Sequence, residues 1–187
     1  MISSLFRKDR VRIQAETLFG EISAQARNPS LFLAGGAPDT VEGRFEMLAL
    51  HLFLVVRRLR ADAPTHDKLS RAIQELFFQE LDSALRELGV GDLSVGRKIR
   101  ALAEAFYGRA DAYDRAISEG PDALADAIAR NALETDNAEK GRLLAGYVTA
   151  AARKLDNENA GNLAAAIANL ADIANQTLNC ESSDNAK

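Results

Sequence analysis

This chain contains no tryptophan, one cysteine, two histidines and four prolines among its 187 residues. A lone cysteine, Cys180, excludes any disulfide framework within the chain and fits a reducing compartment. His51, His66 and Cys180 fall in no HExxH, paired CxxC or other metal-ligand spacing, and no EF-hand loop occurs. No serine or cysteine sits in a nucleophile-elbow or triad context. Long apolar runs are missing too. The longest, Met47 to Val56, has ten residues and includes His51, against the roughly 18–20 that a bilayer span needs. The start, "MISSLFRKDRVRI", meets Arg7 before any apolar signal core develops. Positive charge is not in excess: 23 Lys and Arg stand against 27 Asp and Glu, so a global pull toward nucleic acid is absent. These absences predict a cytoplasmic protein with no cofactor, no metal and no specific nucleic-acid ligand.

What is present is helical periodicity. Alanine is abundant, β-branched residues are sparse, and no hairpin dipeptide flanks an alternating run. The pattern predicts an all-α fold, a compact bundle of about six to seven helices with no sheet. A first helix is expected over about 9–27, followed by a loop of about a dozen residues. Asp39 or Thr40 caps a second helix with the apolar stripe Phe45, Leu48, Leu52, Val55 and Leu59. A third covers about 67–88 and a fourth about 94–118. Pro121 opens a fifth, to about 133. A sixth covers about 138–155, and an alanine-rich seventh about 163–178. The predicted organisation is a basic leader (1–12), one helical domain (13–178) and a disordered tail (179–187).

Charge is uneven. Residues 1–118 carry a net +1 and residues 119–187 a net −5. Arg57, Arg58 and Arg60 fall at a helix C-terminus, where the dipole favours cations. Arg97, Lys98 and Arg100 fall near a helix start, where it does not, which marks them as a candidate partner surface. Leu5 and Phe6 beside Arg7, Lys8, Arg10 and Arg12 could rest on an anionic membrane.

The glycines around Leu88 do not make a phosphate cradle. Their spacing is G-x-G-x-x-x-x-G after a helix, not G-x-G-x-x-G after a strand. They predict a corner: Gly89 ends the third helix in the left-handed region, Gly91 turns the chain, and Asp92 or Ser94 caps the fourth. Gly96 is expected to admit a close backbone. Gly108, inside a helix, costs about 1 kcal/mol relative to alanine, which predicts close contact with a neighbouring helix. Asp82 and Arg86 are four apart and predict a helix salt bridge. For Tyr107, Arg109 and Tyr113 two readings stand, a packed corner with a buried Arg–carboxylate pair or a partner-binding patch.

The strings "GGAPDTVEGRFEMLALHLFLVVRRL" and "ELDSALRELGVGDLSVGRKIRALAEAFYGRADAYDRAI", with "QARNPSLF" and "ARNAL", occur in order. Together they resemble the ubiquinol–cytochrome c chaperone family, the bacterial relatives of the mitochondrial assembly factor for cytochrome b. The likeness is close over 15–117, looser to about 155, and poor from Leu163. It makes 13–118 the family core and 119–178 a set of C-terminal helices. The resemblance picks out Asp39, Gly43, Arg44, His51, Gly89, Gly91 and Gly108 as structural motif residues. It implies a non-enzymatic chaperone that binds newly made cytochrome b. A small helper protein, the ribosome and the cytoplasmic face of the membrane are further implied partners. The contacts it implies are Glu80, Asp82, Arg86, Glu87, Asp92, Tyr107, Arg109 and Tyr113. The alternative is a helical protein holding quinone, lipid or haem, with His51 as an axial ligand. A helical enzyme ranks third, because no acid–base or nucleophile set emerges.

Overall fold

The structure, a computed structural model, describes residues 2–179, with side chains from Arg10 onward. Cys180, the tail, and the side chains of Leu5, Phe6, Arg7 and Lys8 lie outside the described residues. Nine helices follow one another within that range: α1 (Ile2–Gln25), α2 (Pro29–Leu33), α3 (Val41–Ala61), α4 (Asp67–Glu87), α5 (Asp92–Glu119), α6 (Pro121–Ala132), α7 (Ala138–Asp156), α8 (Leu163–Ala168) and α9 (Leu170–Asn179). No strand occurs among the described residues, as the periodicity predicts.

Two differences raise the helix number. The loop after Arg27 contains α2, because the Asn28 side chain accepts from the Ser30 amide and Pro29 occupies the first turn. The Ser30 hydroxyl and Asn175 hold this short helix against α9. The alanine-rich C-terminal helix is broken at Asn169 into α8 and α9. The first helix also starts earlier than its apolar pattern indicated, at Ile2.

The longest apolar run becomes the axis of the fold. Every residue from Ala49 to Val56 on α3 is buried, and α1, α4, α5, α6 and α7 all pack around it. A stretch that is apolar on all sides needs such a surround. Helices α6 and α7 make the most extensive contact, and Gly141 allows it: a Cβ there would overlap the Ala125 carbonyl oxygen. Gly108 does not do this. It is exposed, and a Cβ on it would meet nothing within 4 Å. The same holds at Gly96. The expected close contacts at these two glycines are therefore absent.

Two of the three arginines at the end of α3 are built into the bundle's end. Arg57 pairs with Asp114 and Asp156. Arg58 is buried and donates to the carbonyls of Leu155 and Glu158, satisfying groups that the end of α7 leaves open. Only Arg60 points to solvent.

Helices α4 and α5 run on past the bundle. Phe77 stacks on Phe45, near the start of α3, with ring centroids 6.1 Å apart. Phe106 packs on Phe77 at 5.4 Å. The segment between them continues beyond the end of α3 as a two-helix arm, about 15–20 Å long at the usual rise per residue. From Phe78 to Ala105 only Val95 is buried.

Candidate functional site

At the far end of the arm, Asp82, Arg86 and Asp92 come together. Arg86 Nε donates to Asp82 Oδ2 at 2.6 Å, and its Nη1 pairs with Asp92. The guanidinium thus ties α4 to the first turn of α5 across the glycine turn. Gly89 takes φ +81°, and the amides of Leu88, Gly89 and Val90 close α4 on the carbonyls of Ala84, Arg86 and Leu85. The N-cap of α5 is Gly91, with no side-chain bond, rather than Asp92 or Ser94. Asp92 in the first turn is drawn to Arg86 and suits the positive end of the helix. Glu80 and Glu87 are exposed beside this turn, as are Leu88 and Leu93.

The inner face of the arm is a half-buried apolar strip. Phe78, Leu81 and Leu85 on α4 lie one turn apart, and Val95, Ile99 and Leu102 recur on α5. An open trough of about 540 Å³ lies against it, lined by Glu75, Phe78, Gln79, Asp82, Ser83 and Ile99.

Tyr107, Arg109 and Tyr113 do not form one patch. Tyr107 turns outward, donates to Gln74 Oε1 at 3.0 Å, and borders a cleft of about 530 Å³ between α3 and α5. Arg109 turns inward, its Nε 2.7 Å from Glu46 Oε2, with the two side chains 25% and 6% exposed. The N–H is not aimed along that line, so the contact is an ion pair without a hydrogen bond. Glu46 Oε2, Arg109 Nε and the buried Tyr113 hydroxyl all lack a hydrogen-bond partner. Burial pushes the Glu46 carboxyl up to about 7, against the pull of Arg109 and with a further push from Glu134. Burial, with the Glu46 charge nearby, also raises the Tyr113 phenol. The Arg109 guanidinium lies 6.0 Å from the Phe45 ring centroid.

His51 is 1% exposed and engaged at both nitrogens. Its Nδ1 lies 2.7 Å from the Met47 carbonyl, which can only accept, so Nδ1 carries the proton. Nε2 then accepts from the Tyr147 hydroxyl at 2.7 Å. Burial pushes this imidazole down to about 4, so it is neutral. Serving as an axial ligand would require breaking one of these bonds. Among the described residues, no three His, Cys, Asp or Glu side chains gather to hold a metal ion, and no helix is long and apolar enough to cross a membrane.

The pattern that defines the family described as "Ubiquinol-cytochrome C chaperone" matches residues 34–171. The chain belongs to the ubiquinol–cytochrome c chaperone family. Its fold agrees with a crystal structure of the Cbp3 homolog from Brucella abortus: TM-score 0.76, 35% identity, 89% of this chain and 94% of that one covered. It is 23% identical to ubiquinol-cytochrome-c reductase complex assembly factor 1 of Xenopus laevis over 81% of this chain and 76% of that protein. The corresponding mouse factor is 22% identical over 84% of this chain. The match spans about half of the mouse protein, 54% of its length.

In this chaperone-family chain the "PDT.EGRF" residues build the entry to α3. The Thr40 hydroxyl accepts from the Gly43 amide as N-cap, and Arg44 Nε donates to Asp39 at 2.7 Å. A Cβ at Gly43 would overlap the Pro38 carbonyl. Glu46, which lies in the family string but carried no predicted role, and Tyr147 are central to the buried polar contacts and are not among the predicted site residues. One signal was available for Glu46, a carboxylate set between Phe45 and Met47 on an apolar stripe. Tyr147 gave no sequence signal that separates it from ordinary core.

Proposed function

We propose that this protein is a non-enzymatic assembly chaperone of ubiquinol–cytochrome c reductase, and that its α4–α5 arm holds newly made cytochrome b. The reading rests on family membership and on one observation: between Phe78 and Ala105 only Val95 is buried. An arm so poorly buried gives little stability to its own fold. It leaves Phe78, Leu81, Leu85 and Ile99 half available, with exposed Glu75, Glu80 and Glu87 beside them. Membrane cytochromes expose apolar helices before insertion, and their cytoplasmic loops carry excess positive charge. An apolar strip edged by carboxylates complements both. The same charge rule assigns the contact to the cytoplasmic side of the membrane.

Site-specific photocrosslinking in cells tests the reading. A crosslinker at Leu85 or Ile99 should capture cytochrome b, and one at Arg153 on α7 should not. Capture from Arg153 with none from the arm would reject the arm as the site.

A further inference from the structure

We infer that the outer side of the arm's tip docks on an anionic lipid bilayer. The inference stands on the residues there and does not depend on which client the arm holds.

Positions 93, 97 and 100 fall on one line of α5, opposite the inward stripe of Val95, Ile99, Leu102 and Phe106. Leu93 is fully exposed, at 101%, and Leu88 across the turn is 65% exposed. Arg97 and Arg100 continue the Leu93 line, and Lys98 lies about a hundred degrees round from Arg97, toward the inward stripe. All three cations are exposed, and none has an ion-pair or hydrogen-bond partner among the described residues. Two of the acids near the turn, Asp82 and Asp92, are engaged by Arg86. Glu80, Glu87 and Glu104 remain as exposed acids on the arm, Glu87 beside the turn itself.

Nothing internal explains this arrangement. The cations sit toward the positive end of α5, where the helix gives them no electrostatic support. The leucines cover no neighbour. Two exposed leucines ahead of a basic collar match a bilayer, in which apolar side chains enter the acyl boundary and cations stay among anionic headgroups. A nucleic acid would use the collar and leave the leucines in water. Position also matters. The arm leaves the bundle at the Phe45 end of α3. Gln14, next to the basic leader, bonds to Ala160 near the opposite end, where Arg58 meets Glu158. The tip therefore lies at the end of the bundle away from Gln14.

The absence of tryptophan provides a clean probe. A full-length Leu93→Trp variant is mixed with phosphatidylcholine vesicles, with and without phosphatidylglycerol. Co-sedimentation and a blue-shifted emission are expected only with the anionic lipid, weakening as salt is raised. Adding Arg97→Glu, Lys98→Glu and Arg100→Glu should lower partitioning at least about tenfold, with the thermal midpoint unchanged. Reversing Arg7, Lys8 and Arg10 instead should leave the blue shift in place. The inference is overturned by no binding, by binding with unshifted emission, by wild-type binding of the arm reversal, or by a shift with duplex RNA but not with vesicles.

Discussion

Arg109 of α5 and Glu46 of α3 meet 2.7 Å apart at the point where the arm joins the bundle. The pair is the polar joint of that junction, flanked by Phe45 on one side and the unpartnered Tyr113 hydroxyl on the other. Removing one member leaves the other in a site built for two charges.

Arg109→Met should therefore destabilise the fold by about 2–4 kcal/mol, at the lower end because Glu46 can take a proton. Arg109→Met with Glu46→Leu should recover most of the loss, since two apolar groups leave no buried charge. Urea unfolding of the three proteins checks this. A double variant as unstable as the single would show that the site does not depend on charge balance.

The buried titratable groups predict opposed pH dependences. Glu46, held up to about 7 from an ordinary 4.5, keeps its proton in the folded chain after the unfolded chain has lost its own. Its contribution is fully present below about 4.5 and is lost as pH rises through about 7. His51, pushed down to about 4 from 6.5, binds its proton more weakly when folded. Its contribution is present above about 6.5 and is lost as pH falls toward 4. Between about pH 4.5 and 6.5 the two slopes oppose each other. Glu46→Gln should unmask stability that rises with pH in that window, and His51→Gln stability that falls. Thermal midpoints measured across the window read both, and identical profiles in the two variants would contradict the assignment.

Two helix glycines should respond with opposite signs. Gly108 faces open space, so Gly108→Ala should stabilise by up to about 1 kcal/mol. At Gly141 a Cβ would overlap the Ala125 carbonyl, so Gly141→Ala should destabilise by about 1–3 kcal/mol. Chemical denaturation of the two variants is sufficient, and a stabilised Gly141→Ala would refute the account of α6–α7 packing.

These two glycines also show what the sequence makes legible. Both lie inside helices, and no local property separates them; only the approach of a second backbone does. Features fixed within one helical turn were readable: Gly89 closing α4, Pro121 opening α6, the Asp82–Arg86 pair, and α3 as an apolar helix. Helix α2 was readable in principle from Asn28-Pro29-Ser30, but the glycines and prolines after it suggested a plain loop. The buried contacts were not readable, because they join distant parts of the chain. His51 and Tyr147 are 96 positions apart, and nothing near either names the other. Of the two readings for Tyr107, Arg109 and Tyr113, the packed corner with a buried Arg–carboxylate pair matches the Arg109–Glu46 contact, while Tyr107 turns outward, away from the other two. Positions two apart on a helix point to different sides.

The most direct test of the assembly role is a haem difference spectrum of membranes from cells lacking this protein. The cells are complemented either with wild type or with an arm variant carrying Glu80→Lys and Glu87→Lys. The account predicts loss of the reductase's b-type signal without the protein, recovery with wild type, and poor recovery with the arm variant despite normal abundance. A full b-type signal in the uncomplemented cells would contradict the assembly role. Full recovery with the arm variant would move the client's contact off these carboxylates.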